Sequence, residues 1–359
     1  YIWTSAPQYY INTNFQGGSD KSNYYVAISH LGQDATVRNY GGFKRTNVQM
    51  NIDMNISDRF KIGATMNGRI EDRHHPGVPG GDDTWLPRFA TMKNQPTKRP
   101  YANDNPLYPQ LVSDQKETNF ALLNYDTSGK VSDVWRVIQM QTTAEYEILK
   151  GLKAKAKMSY DFRNYKNKNF NPKDPYTYEP TESGEIVKAE VGSTVGKLNQ
   201  EMGNNITKDM QFSLNYTRTF GKHDISAMAM YQATNPSYEW MTGFREFMIN
   251  SLPVLNAGND LKQNNGGTEG SSLVMALIGR VNYAYANKYM IEGVLRYDGS
   301  STFAPDKRWG TFPSVSIGWR ISEESFFKEN ISFISNFKLR ASYGVVGDQG
   351  GFSPFQYLE

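Results

Sequence analysis

Cysteine is absent from the 359 residues, which excludes a disulfide scaffold, zinc–thiolate sites, iron–sulfur clusters and a cysteine nucleophile. It leaves the compartment open, since many exported proteins also lack it. Excess charge is lacking too. With 39 Lys and Arg against 36 Asp and Glu the net is +3, too weak a field to point to nucleic acid. Long apolar runs are missing: the longest aliphatic stretch, Leu273 to Ile278, falls far short of the roughly 18 residues of a membrane helix. No transmembrane helix is expected. The chain opens at Tyr1 without Met, a basic segment or an apolar targeting segment, so any targeting signal is expected to have been removed or to lie outside it.

What is abundant is aromatic and alternating. Tyr, Phe and Trp make 13% of the chain. Val48, Met50, Ile52, Met54 and Ile56 alternate with Gln49, Asn51, Asp53 and Asn55, a period-2 strand. After Ser57-Asp58-Arg59 the pattern resumes through Phe60, Ile62, Ala64 and Met66, predicting a hairpin. The unit returns at Ile138–Ile148 with Leu152–Phe162, at Met210–Tyr216 with Ile225–Tyr231, and at Leu273–Tyr285 with Ile291–Tyr297. Segments near 312–321 and 336–346, and a less regular one at 24–31, bring the count to about eleven strands.

Tight turns near 58, 150, 221 and 287 alternate with long connections near 72–132, 166–198, 234–271 and 299–311. If each strand crosses a layer once, all these short turns fall on one side and all these long loops on the other. That sorting is expected of an outer-membrane β-barrel, all-β and antiparallel, with short periplasmic turns and long extracellular loops. One face of each strand is aliphatic and aromatic, for lipid; the other carries Lys, Asp, Asn, Gln and Arg, for a wet lumen. A single sheet packed on one side would alternate in the same way. Tyr146, Tyr216, Phe220, Tyr283, Tyr285 and Tyr289 gather beside the tight turns, as an interfacial girdle would, although strand propensity also enriches such residues. The only helical turn expected is Ser322–Lys328, with Ser322 as cap.

Catalytic chemistry finds no support. GxSxG, GxGxxG and GxxxxGK[ST] are all missing, and Ser300 and Ser301 read as part of a turn with no His to activate them. His74 and His75, near Glu71, Asp72, Asp82 and Asp83, are the one metal candidate. Adjacent histidines point apart on an extended strand, so a solvated loop is the favoured reading and neither metal nor cofactor is expected. Binding fares better. Trp85 and Arg88 in one long loop, and Tyr238, Trp240 and Arg245 in another, offer rings that stack on sugars or side chains and guanidinium groups that hold carboxylates. The competing reading is that these residues pack the loops onto their neighbours.

The C-terminal third is more specific. Arg280-Val281-Asn282-Tyr283-Ala284-Tyr285, Lys288-Tyr289 and Arg296-Tyr297-Asp298-Gly299-Ser300-Ser301-Thr302-Phe303 occur in that order. They are followed by Trp309 to Arg320, which includes Phe312, Pro313, Ser314, Gly318 and Trp319, then Ser322-Glu323-Glu324-Ser325-Phe326 and Lys338 to Gly344. This run resembles the SusC/RagA-type TonB-dependent outer-membrane transporters of Bacteroidetes. Phe43-Lys44-Arg45 leading into Asn51-Ile52-Asp53 is a weaker match to an early strand of that family.

The resemblance implies a 22-stranded barrel, of which residues 1–359 would be about half, with plug, TonB box and remaining strands outside the chain. It implies import of a glycan, or of a peptide, with a SusD-like surface lipoprotein and TonB as partners. Asp298 to Phe303 would then be a turn at the outer end of a strand and Phe312 to Arg320 the strand after it, both structural. A half-barrel has two open edges, so the isolated chain is not expected to form a conducting pore. A passive porin, and a soluble or surface-anchored carbohydrate-binding β-protein, are the alternatives.

Overall fold

The computed structural model describes residues 3–77, 92, 97, 99–110, 129–171, 177–190, 195–248, 252–331 and 333–351. One antiparallel sheet of 13 strands dominates it. Its members are β1 (Gln8–Ser19), β2 (Ser22–Asp34), β3 (Gly42–Ser57), β4 (Phe60–His75), β5 (Lys130–Leu149) and β6 (Leu152–Asn171). A separate hairpin of β7 (Thr177–Pro180) and β8 (Ile186–Glu190) intervenes before β9 (Gly196–Phe220) and β10 (His223–Phe247). Then come β11 (Gln263–Ser271), β12 (Val274–Tyr285), β13 (Tyr289–Ser300), β14 (Trp309–Arg320) and β15 (Lys338–Gly344). Each strand of the sheet pairs with the next along the chain, except that β10 pairs with β12 over His223–Thr234 and with β11 over Ser237–Arg245.

The strands are longer and more numerous than alternation alone predicts. β10 runs 25 residues, so much of the expected loop 234–271 is strand, while β6 ends at Asn171 and β9 begins at Gly196, so the sheet takes only the two ends of 166–198. Two β-bulges keep the faces consistent. The register shifts between Asn55 and Ser57, and again between Glu147 and Leu149. In each hairpin the shift aligns the apolar sets, Met50 with Met66 and Met140 with Tyr160. A one-residue slip would turn every side chain to the other face.

In register, Met50, Met66, Met140, Tyr160, Met158, Met210, Phe212, Leu214, Tyr231, Leu277, Leu295, Val315 and Ile317 make one continuous apolar face. It is not covered. Leu214 is 50% exposed and Ile317 56%, and buried hydrophobic residues among those described are few. An apolar surface this continuous belongs against hydrocarbon, and its depth on β6, Leu152 to Phe162, matches the 9–11 residues of a membrane-crossing strand. A soluble sandwich would bury it. On β9 the charged residues of this face lie at its two edges, Lys208 toward the outer end and Arg218 toward the tight turn, where long side chains reach the interface.

At the turn end, Phe60 meets Tyr146 at 6.4 Å, and Phe220, His223, Tyr285, Tyr289 and Trp319 follow one another at 5.6, 5.0, 6.5 and 6.5 Å. One connection there is long: residues 321–337 join β14 to β15. They hold a 3-10 turn at Ile321–Glu323 and a helix, α1 (Ser325–Asn330), whose N-cap is Glu324 and not the expected Ser322.

Candidate functional site

Beyond the apolar band, β5, β6, β9 and β10 continue as a raised wall at the end opposite the tight turns. Unbroken alternation fixes which residues line its polar face. One row across the sheet reads Glu71, Trp135, Tyr165, Gly203, Trp240, Thr268. Trp135 and Tyr165 rings lie 4.5 Å apart, and Tyr165 and Trp240 rings 5.7 Å apart across the strand between them. That bridging needs Gly203, because a β-carbon there would fall 2.5 Å from the Trp240 indole. Tyr238 lies two residues along the same face and covers Gly270 in the same manner.

Polar groups frame these rings. In the next row outward, the Asp133 carboxylate accepts from the Tyr165 hydroxyl at 2.9 Å and from the Asn167 amide at 2.6 Å, with His75 Nε2 at 3.9 Å. At this outer end of β4, past the apolar band, burial lowers His75 below its ordinary value, against smaller opposing effects of the Pro76 carbonyl and Asp133, so it is uncharged at neutral pH. In the rows inward, Arg163 donates from Nε to Asp161 at 2.8 Å, and Gln139 donates to the same carboxylate. An aromatic platform bordered by paired acceptors and donors suits a ligand that offers C–H faces together with hydroxyls or amides. The Asp133 carboxylate orients the Tyr165 ring; it is not placed against a nucleophile.

The binding residues expected from the sequence separate. Tyr238 and Trp240 share the polar face. Arg245 is on the opposite face, ion-paired to Asp260 and packed over Gly258, beside a small core of Phe170, Leu198, Phe247 and Leu255. Trp85 and Arg88 lie outside the described residues. His74 and His75 point to opposite faces of β4, Asp82 and Asp83 lie outside the described residues, and no group of three metal-ligating side chains occurs among those described.

Trp135, Tyr165 and Asp133 escape a reading of the sequence because they look like ordinary wall. Their cross-strand pairing depends on the bulge at Ile148, without which Trp135 would face Lys166. The signal that could have found them is the requirement that Met140 meet Tyr160, which fixes the shifted register.

The signature residues of the C-terminal third occupy the rim where β13 meets β14. Asp298 pairs with Arg296 at 3.1 Å, and Gly299 lies under Trp309, which stacks on Tyr297 at 4.8 Å. The Ser300 amide donates to the Arg308 carbonyl, and Ser301 exchanges bonds with Leu273 through its amide and its hydroxyl. The Phe303 carbonyl accepts from Arg308 Nε at 3.0 Å. Phe312 and Ser314 line the polar face. Pro313 sits on the apolar face where pairing with β15 ends, and its carbonyl accepts from Val345. Trp319 closes the aromatic row at the turn end, and the Lys338 side chain crosses Gly318.

Comparison with known proteins follows the same lines. The family model described as "TonB dependent receptor-like, beta-barrel" matches residues 3–357. TonB-dependent receptor P3 of Formosa agariphila is 28% identical over 354 residues, 96% of this chain and 33% of that protein. TonB-dependent receptor SusC of Bacteroides thetaiotaomicron is 44% identical over 85 residues, 24% of this chain and 8% of that protein. Among solved structures, the RagAB peptide importer in its closed-closed state superposes with a TM-score of 0.73 at 20% identity, over 96% of this chain and 37% of that one. The likeness at that identity is one of fold. The chain spans about a third of the length of the curated relatives that it matches along nearly all of its own.

Proposed function

Since the chain belongs to the TonB-dependent receptor-like β-barrel family of outer-membrane proteins, we propose that it forms part of the barrel wall of an importer. Its cargo is a nutrient too large for passive channels, an oligosaccharide first and a peptide second. The observation that carries this reading is the pairing of a membrane-deep exposed apolar face with a raised wall bearing Trp135, Tyr165, Trp240 and Tyr238 on the polar side. Aromatic faces in a row grip successive sugar rings through their C–H faces, and they also accept apolar side chains. That ambivalence is why the glycan is ranked above the peptide and not put alone.

In this reading a SusD-like surface lipoprotein caps the wall and delivers the cargo, and TonB acts on a plug held elsewhere in the protein. The lumen rows, rich in Lys, Asp, Asn and Gln, face the plug and water; the apolar face meets outer-membrane lipid.

The test uses cells that carry the complete protein. Uptake of fluorescently labelled oligosaccharides should saturate, should collapse when an uncoupler dissipates the inner-membrane gradient, and should weaken in the Trp240→Ala variant at unchanged surface abundance. Uptake that survives the uncoupler would instead mark a passive channel. Uptake of labelled peptides but not of sugars would reverse the substrate ranking.

A further inference from the structure

The connection between β14 and β15 sits at the end of the sheet where the other hairpins turn within a few residues. Its described residues, 321–331 and 333–337, form a closed loop there. The Ser322 amide donates to the Phe337 carbonyl at 3.1 Å, and the buried Phe327 stacks on Phe337 with ring centroids 5.7 Å apart. Glu324 fixes the direction in which this loop leaves the sheet. Its Oε1 accepts from the Tyr289 hydroxyl at 2.6 Å and from the Trp319 indole N–H at 3.1 Å, and its Oε2 accepts from Lys288 Nζ at 3.1 Å. Tyr289 and Trp319 are register partners on the apolar face, each two residues from the partners Ile291 and Ile317. The loop is therefore tied to the side of the strand ends that continues the lipid-facing surface.

Beyond that tether the loop presents apolar groups to its surroundings. Phe333 is 86% exposed and Phe326 54%, with Ile334 and Phe337 beside them. Large aromatic residues left bare in water forgo the stabilisation that burial of their apolar surface would give. Here they continue an apolar band and an aromatic row already at the membrane boundary, where such side chains are favoured. Continuity with the lipid-facing surface selects lipid as the occupant over a protein.

We infer that residues 321–337 form an interfacial hook that places Phe326 and Phe333 in the periplasmic leaflet of the outer membrane, with Glu324 as its tether. The inference rests on the barrel reading above, which puts the tight turns on the periplasmic side.

The test reconstitutes the complete protein in vesicles of phosphatidylethanolamine and phosphatidylglycerol. Nitroxide labels go on single cysteines introduced as Phe326→Cys, Phe333→Cys, Glu329→Cys and Ile317→Cys; residues 1–359 hold no cysteine, and any elsewhere in the complete protein is replaced by serine. Paramagnetic accessibility is then read with oxygen, which concentrates in lipid, and with a water-soluble nickel chelate. Labels at 326 and 333 should collide mainly with oxygen, as the label at 317 on the mid-strand apolar face should, while the label at 329 should collide mainly with nickel. Adding Glu324→Ala should shift the label at 333 from oxygen toward nickel. Nickel-dominated collision at 326 and 333 with 317 still in lipid would overturn the hook alone, placing the loop in water. Shielding of 326 and 333 from both reagents would also overturn it, showing a protein surface in place of lipid. Loss of oxygen access at 317 would refute the barrel reading, and the hook with it.

Discussion

The indole of Trp240 lies over Gly203 and reaches the ring of Tyr165 on the far side of it, 5.7 Å away. The glycine is what joins the two rings into one surface. Gly203→Ala should push the indole off Tyr165, because its new methyl would stand 2.5 Å from the ring atoms. Losing one aromatic contact is worth about 0.5–1.5 kcal/mol, a roughly two- to tenfold weaker Kd for a ligand stacked there. Titration of the complete protein with its cargo, followed by tryptophan fluorescence, checks this. An unchanged Kd in both Gly203→Ala and Trp240→Ala would remove the row from the binding surface.

The two faces of β9 should answer oppositely to the same charge. Phe212→Arg places a guanidinium on the apolar face near the middle of the band, where the cost is about 2–4 kcal/mol. Ser213→Arg, one residue away, points to the polar face and should be nearly neutral. Urea midpoints of the complete barrel in detergent or vesicles separate the two. Equal destabilisation would mean that the band does not face lipid.

Much of this architecture is written in the period-2 alternation of β3 to β6, β9, β10 and β12 to β14, because burial against lipid constrains one face strongly. The strands that escape notice lack that constraint. β11, Gln263–Ser271, holds asparagine and three glycines and reads as part of the long loop 234–271; it is a strand because the outer half of β10 offers it an unpaired edge. β1 carries Tyr9, Ile11 and Phe15 on one face but is diluted by Asn, Gln and Gly. The site is half legible for a related reason. Tyr238 and Trp240 stand out as aromatic residues in a polar stretch, whereas Trp135 and Tyr165 join them only through a register set by the bulge at Ile148. Arg245 looks like a companion by sequence distance, but an odd spacing from Trp240 puts it on the opposite face.

Asp133 should matter more when removed than when mimicked. Asp133→Ala leaves the Tyr165 hydroxyl and the Asn167 amide without the acceptor they share, at a cost of about 1–3 kcal/mol for each group left unpaired in a partly buried place. Asp133→Asn keeps one acceptor and should lose less. Thermal unfolding of the raised wall, followed by near-ultraviolet circular dichroism of Trp135 and Trp240, orders the three proteins. If Asp133→Ala and Asp133→Asn are equally affected, the carboxylate is not the organising group.

Glu324 makes the turn-end loop sensitive to acid, with a sign that can be worked out. The Tyr289 hydroxyl, then the Trp319 indole, then Lys288 hold its carboxyl down to about 2, below the ordinary value of 4.5. A carboxyl whose pKa is depressed on folding contributes stability in full above its unfolded value and loses it as pH falls through the folded one. The tether should thus be constant from neutral pH to about 5 and should weaken progressively between about 4.5 and 2. Protease cleavage within 321–337, or Trp319 fluorescence, should report the release in that window. Glu324→Gln should be looser at neutral pH and should lack this acid transition, since the group that titrates is gone. A wild-type transition that persists unchanged in Glu324→Gln would assign it to another carboxylate, of which Glu323, held down by Lys328, is the nearest.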